Sequence, residues 1–442
     1  MRKQMYPWLI LVLLALTCST FASELRVEFQ EKVKTTRPGE PPSMQESLIV
    51  ARFGKEMFYT MRNLQAKFYD LERDWIIETH EGVKVVEYPM LAVLAERAEG
   101  LLNNLDTFRM MSRAGALKQN DRYAMFNLET RYALQSDIRS SVAPRKETTG
   151  KITTFTVDQH QVASWENSDY KLSDDEMGLF EKFLIYEARI HPEIRKAMVS
   201  NRCLPKRMRF RYETTSGKSE VEWISLQADT QSTTAYTKEL QMAPPAQSDE
   251  VDRLISEELP AIADRGLRGE DFEKMFAKSI DLRSYLDAML VSVEFYLMSG
   301  QQTINALQTI KPFIETDPQL LAYLSGLDVS SKAAARLSMI ELAEIDRTNL
   351  FRQHILDVAL ADTFKETLKY KAAEELYIKA LQQNPYMTGV WVNLGDLYYR
   401  TMRMEKAWNC WNAAFALQSD HPALDPIKDR NTLLSDGFPE YF

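Results

Sequence analysis

At 442 residues the chain is long enough for two or three domains, and 45% hydrophobic with 26% charged residues is the balance of an ordinary globular protein. A net charge of −9 argues against nucleic acid and anionic membrane surfaces as partners, because both need a positive protein surface. Cys18, Cys203 and Cys410 are too few and too scattered for a disulfide framework, so Cys203 and Cys410 are expected as partly buried thiols.

The N-terminus reads as a targeting segment. Arg2 and Lys3 supply a basic start, and Trp8 to Leu16 is an uncharged apolar run about half as long as a membrane-spanning helix. Thr20 and Ala22 place small residues at the −3 and −1 positions, so residues 1–22 are expected to be a signal peptide cleaved after Ala22. The product would be periplasmic or secreted. Lipidation at Cys18 is the competing reading, but Ala15 and Thr17 stand where a lipobox wants a large aliphatic and a small residue. Membrane contact is expected only if this segment is retained or lipidated.

Ser47 to Pro89 has the spacing of a β-meander. Short β-branched and aromatic runs (Leu48–Val50, Met57–Tyr59, Lys67–Tyr69, Trp75–Ile77, Val83–Tyr88) are separated by polar turns, two of them containing glycine. Pro89 stops the last strand, and Met90 to Leu105 follows with helical spacing. Residues 106–140 carry no decisive pattern. Strands return at Ile152–Val157 and Gln161–Trp165, and Ser173 with Glu176 has capping-box form ahead of a helix through Phe180, Phe183 and Tyr186. Arg207–Thr214 and Glu220–Leu226 make a further hairpin. There Met208, Phe210 and Tyr212 form one face, while Arg207, Arg209 and Arg211 form a solvated outer one. The expected fold class is α+β: an antiparallel sheet with interleaved helices over 24–228, a linker over 229–250, and an all-α remainder over 251–442.

Two units with a period of about 34 residues close the helical part. Trp391, Leu394, Gly395, Tyr398, Ala407, Trp411 and Ala414 repeat Leu360, Ala361, Phe364, Ala373, Tyr377, Ala380 and Pro385. This pattern resembles the tetratricopeptide-repeat family over residues 354–421. Pro422 falls later than the family pattern, implying a longer final helix, and 422–442 would be a tail. A degenerate version, with Leu290, Val293, Leu297, Ala306, Ile310, Phe313 and Pro318, lies within 251–353, where Glu294 replaces a small residue. The resemblance implies stacked helix pairs and a groove lined by first helices. Val358, Asp362, Lys365, Val392, Asp396 and Tyr399 would face that groove and hold a protein or peptide partner.

No HExxH, GxSxG, Walker or dinucleotide motif occurs. His80, His160, His191, His354 and His421 show no metal-ligand spacing. No catalytic residue, metal or cofactor is expected, and the first functional expectation is an exported scaffold that binds another protein without catalysis. The second comes from a loose resemblance of the N-terminal part to periplasmic lipoprotein-carrier half-barrels, whose closing hairpin the segment from Leu204 to Trp223 resembles. That resemblance implies a lipid or other hydrophobic ligand on the concave face of the sheet.

Overall fold

The computed structural model describes residues 23–441 except 55–56, 63–64, 81–82, 116–121, 136–142, 215–216, 233–249, 259–268, 302–303, 329 and 349. The expected signal peptide and most of the expected linker lie outside these residues. The chain divides into two compact units, residues 1–242 with 432–442, and residues 243–431. The class is α+β.

The first unit is built on one antiparallel sheet of eleven strands in the order β6-β5-β4-β3-β2-β1-β11-β10-β9-β8-β7. The expected meander forms β2 (Ser43–Phe53), β3 (Met57–Arg62), β4 (Gln65–Asp70), β5 (Trp75–His80) and β6 (Val83–Pro89). On the other side lie β7 (Arg145–Thr149), β8 (Ile152–Val157), β9 (His160–Lys171), β10 (Cys203–Thr214) and β11 (Gly217–Ser232). The two halves are joined by β1 (Ser23–Thr36), which pairs with β2 on one edge and with β11 on the other, Ser23 facing Ser232. β11 therefore continues as strand beyond residue 228, into the span expected to be linker.

Side chains alternate along each strand. On β1 the inward positions are Leu25, Val27 and Phe29, all buried, with Ile49, Ala51 and Phe53 of β2 beside them. On β10, Met208 and Phe210 are buried as the alternation requires. The opposite row is neutralised across the hairpin: Arg209 meets Glu222 at 2.7 Å and Arg211 meets Glu220 at 3.2 Å. The arginine row is thus an ion-paired outer face.

Among the described residues, four helices accompany the sheet: α1 (Met90–Arg113), α2 (Arg122–Tyr132), α3 (Asp174–Tyr186) and α4 (Pro192–Val199). α1 runs past Leu105, and α2 occupies part of the stretch that lacked a decisive pattern. α3 begins with the expected capping box, the Ser173 hydroxyl accepting the Glu176 N–H at 3.3 Å and the Glu176 carboxylate accepting the Ser173 N–H at 2.8 Å. α3 seats Phe183 among Phe29, Phe53 and Trp223, with ring centroids 5.4–5.8 Å apart. The last residues of the chain belong to this unit as well. Lys182 Nζ lies 2.8 Å from Glu440, the Tyr186 and Tyr441 hydroxyls are 2.7 Å apart, and the Arg195 guanidinium stands over Phe438. The span 422–442, expected as one tail, is divided between the two units.

The second unit is all-helical among its described residues. After one turn of helix at Glu250–Arg253 come α5 (Gly269–Asp281), α6 (Tyr285–Ser299), α7 (Ile304–Ile310), α8 (Pro318–Ser325) and α9 (Lys332–Glu344). Then follow α10 (Gln353–Glu366), α11 (Tyr370–Gln383), α12 (Thr388–Arg400), α13 (Met404–Leu417) and α14 (Asp425–Gly437), which starts in this unit. α10 packs on α11 and α12 on α13. The positions that define the repeat are its core: Ala361, Ala373, Tyr377, Ala380, Trp391, Tyr398, Ala407 and Trp411 are all fully buried. α13 is no longer than α11, 14 residues each. The residues up to Pro422 form a turn, so the expected longer final helix is not present.

α6 packs on α7 and also lies against both α10 and α12, and Glu294 is buried there. No helix among the described residues is long and apolar enough to cross a membrane.

The small residue at 395 has a steric reason. A Cβ on Gly395 would stand 2.5 Å from the buried Trp411 indole, whereas one on Gly178 of α3 would meet nothing within 4 Å. Gly395→Ala is therefore expected to lose on the order of 1 kcal/mol, overpacking outweighing the gain in helix propensity. Gly178→Ala is expected to gain up to about 1 kcal/mol. Thermal melts of the two variants would show shifts of opposite sign.

Candidate functional site

The core of the sheet unit does not close along its whole length. Continuing down the inward row of β1 from Phe29, the next positions are Glu31 and Val33, and both line a cavity of about 610 Å3. Their partners across the strand pair are Trp223 and Val221 of β11, and Phe210, Tyr212 and Val162 extend the same wall onto β10 and β9. The other wall comes from Val93, Glu96 and Arg97 of α1, from Thr130, Arg131 and Tyr132 of α2, and from Glu187 to Ile194 around the α3–α4 turn. The volume lies within the roughly 300–1,000 Å3 of small-ligand pockets. A sheet wall that is apolar apart from Glu31 and Tyr212 faces helices that carry charge.

Arg97 is the buried cation of this site, only 7% exposed. Its two Nη atoms donate to the backbone carbonyls of Ile185 at 2.7 Å and Tyr186 at 3.0 Å, anchoring α1 to the end of α3. Burial lowers the guanidinium pKa to about 10, and the nearby positive charge of Arg189 adds to that. His191 and Glu129 are a second buried polar group, 3.3 Å apart with both side chains fully covered. The His191 Nδ1 accepts the Glu193 N–H, starting α4, which leaves Nε2 to donate to Glu129; the Phe126 ring stacks on the imidazole at 4.2 Å. Glu187 accepts the Tyr69 hydroxyl at 2.7 Å, and Glu31 is held by Arg62 at 3.1 Å and by the Ser47 hydroxyl at 2.8 Å. Burial together with Glu187 raises the Tyr69 pKa well above its usual value, so this phenol stays protonated and donating.

The expected groove residues lie in the helical unit and are not the open surface that their register implied. Val358 and Val392 are 4% exposed and Lys365 is 9% exposed; Asp362, Asp396 and Tyr399 are partly exposed. The cause is the chain's own helices. α6 reaches the N-terminal ends of α10 and α12, with Glu294 2.8 Å from His354 and Leu297 against Gly389. His354 and Gly389 stand one helical turn before Val358 and Val392, on the same stripe. At the other end the Arg430 guanidinium of α14 lies 4.3 Å from the ring centroids of both Tyr399 and Trp411. Between these covers the structure does bring the polar members together: Lys365 is 3.6 Å from Asp362, and Asn393 bridges them at 3.2 and 3.5 Å. Burial raises the pKa values of Asp362 and Asp396, against the opposing pull of Lys365 on both.

His80 is exposed, and no cluster of His, Cys, Asp and Glu that could hold a metal ion occurs among the described residues. Cys203 and Cys410 are buried, one in each unit, and no disulfide joins them. Arg97 and the cavity around it were not among the expected site residues. A signal for Arg97 does exist: Met90, Leu94, Arg97 and Leu101 fall on one helical stripe, so a cation sits on the face that must be buried.

No family model matches the sequence, and no curated protein matches it. Among solved structures, one of lipovitellin concerned with its lipid–protein interactions aligns at 11% identity, with a TM-score of 0.21. The alignment covers 94% of this chain and 47% of that one, so the chain spans about half the length of lipovitellin. At that score the likeness carries no argument.

Proposed function

We propose that this protein is a non-catalytic carrier that holds a hydrophobic or amphiphilic molecule in the cavity of its sheet unit, outside the cytoplasm. The observation that carries this reading is the opening of the sheet core at Glu31 and Val33 into about 610 Å3 of space walled by Val162, Phe210, Val221 and Trp223. A filled core at that place would have favoured a purely structural sheet. The polar groups of the site are held by other protein groups in ways that suit positioning: Arg97 by two carbonyls, His191 by Glu129, Glu187 by the Tyr69 hydroxyl.

Val221 lines the cavity on β11, so Val221→Trp would fill it without entering the packed core around Phe183. The expected result is a cooperative melt within a few degrees of wild type and at least a tenfold loss in affinity for a fluorescent fatty-acid analogue. Unchanged affinity in a folded variant would contradict the reading.

A second reading, a scaffold that grips a protein through tetratricopeptide-like repeats, has its own support. Leu321 on α8 and Leu337 and Ile340 on α9 are 47–64% exposed, apolar side chains of the kind that protein partners cover. Burial of Val358, Lys365 and Val392 counts against peptide capture in the first-helix groove. A scaffold of this sequence would use the outer face of α8 and α9 instead.

A further inference from the structure

Three arginines line the cavity, and none of the carboxylates that share it is ion-paired to them. Arg97 is more than nine-tenths buried and spends two of its five N–H donors on carbonyl oxygens, and the exposed Glu96 acts on it electrostatically without forming an ion pair. Arg189 follows at the α3–α4 turn, close enough to act electrostatically on Arg97, and Arg131 approaches from α2 over the Tyr132 ring. Of the three acids in the lining, Glu31 and Glu187 both face Arg62, at 3.1 and 3.9 Å, and Glu187 also accepts the Tyr69 hydroxyl. Glu96 is exposed on α1. His191 is taken by Glu129. Among the described residues, no carboxylate forms an ion pair with Arg97, Arg131 or Arg189.

Two like charges on one cavity wall repel each other, and burying one without an ion-pair partner is costly. An anion beside them removes both penalties. The opposite wall offers Val33, Val162, Val221 and Trp223, interrupted by Glu31, which Arg62 and Ser47 hold. We propose that the cavity selects single-chain amphiphiles with an anionic head, the head at Arg97 and Arg189 and the chain along the sheet wall. This rests on the carrier reading and names its ligand class.

The test uses the full chain and three probes with the same sixteen-carbon tail: palmitate, hexadecyl phosphate and hexadecanol, titrated by calorimetry at low and moderate salt. The expected result is that both anionic probes bind at least tenfold more tightly than hexadecanol, and that added salt narrows the gap. Which of the two binds better tells a carboxylate head from a phosphate one. Arg189→Gln, an exposed position, is expected to fold normally and to lose most of the preference for the anionic probes. Arg97→Lys, checked by its melt, keeps a charge but not the planar donor pair and is expected to weaken both anionic probes. Equal binding of all three probes overturns the anionic-head inference and leaves the carrier reading standing. Binding of hexadecyl phosphate no tighter than inorganic phosphate overturns the role of the chain. Failure of every amphiphile to bind overturns the carrier reading itself.

Discussion

Replacing Phe183 by alanine is expected to cost the sheet unit about 3–5 kcal/mol, the usual loss for a buried phenylalanine in a packed core. Phe183 is fully buried and is the one side chain of α3 that touches the rings of β1, β2 and β11 together, through Phe29, Phe53 and Trp223. α3 is amphipathic and capped, but a helix of 13 residues is marginal alone in water, so its position depends on this contact. Removing the ring leaves a void beside Trp223, which also forms part of the cavity wall. Calorimetry of the variant should show the transition of the sheet unit lowered and that of the helical unit little moved. A loss below about 1 kcal/mol would mean that α3 is held mainly by its polar contacts.

The second large effect is expected at Glu294 in the helical unit. This carboxylate is 4% exposed, and it collects Arg352 Nε at 2.6 Å, His354 Nε2 at 2.8 Å and Asn384 Nδ2 at 2.7 Å. α6, the start of α10 and the end of α11 are thereby tied at one point. Glu294→Ala leaves an arginine and a histidine partly buried without their anion, a loss of about 3 kcal/mol or more. For a unit of this size that is roughly 6–12 °C in Tm. The pH dependence has a definite sign. Burial alone would raise the Glu294 pKa, but the His354 hydrogen bond, the Arg352 charge and the Asn384 hydrogen bond together lower it from the ordinary 4.5. A carboxyl group with a depressed folded pKa contributes stability that is complete above 4.5 and fades as the pH falls through the folded value. Wild-type Tm should therefore fall more steeply below pH 4.5 than that of Glu294→Gln. Parallel slopes would contradict the assignment.

Much of the fold was legible because its signals are local. The meander from β2 to β6 shows in short runs broken by polar turns, and the capping box shows in Ser173 and Glu176. The β10–β11 hairpin shows in the alternation of Met208, Phe210 and Tyr212 against arginine. The small and bulky residues of α10 to α13 occupy the core positions that their spacing implies. What was not legible depends on contacts between residues remote in sequence. β1 alternates through Leu25, Val27 and Phe29, yet nothing nearby says that Ser23 faces Ser232 and joins two half-sheets into one.

The burial of Val358, Lys365 and Val392 was not legible for the same reason. Spacing puts Val358 and Val392 on one stripe of first helices, but only the position of α6, some 60 residues earlier than α10, covers that stripe. Glu294 was visible as a departure from the small residue expected in a repeat. Its physical meaning appears once Arg352, His354 and Asn384 surround it. The cavity was legible only in fragments, with Phe210 and Tyr212 on an inward row and Arg97 on a buried stripe. Helical spacing cannot tell a row of residues that packs from one that lines a space.

The carrier account is tested most directly by native mass spectrometry of the full-length protein isolated from its native cells under mild conditions. The account predicts a population of chains carrying one small amphiphile each, released on denaturation and absent from Val221→Trp prepared in parallel. Chains that arrive bare, or that carry the same adduct when the cavity is filled by the tryptophan, would contradict it.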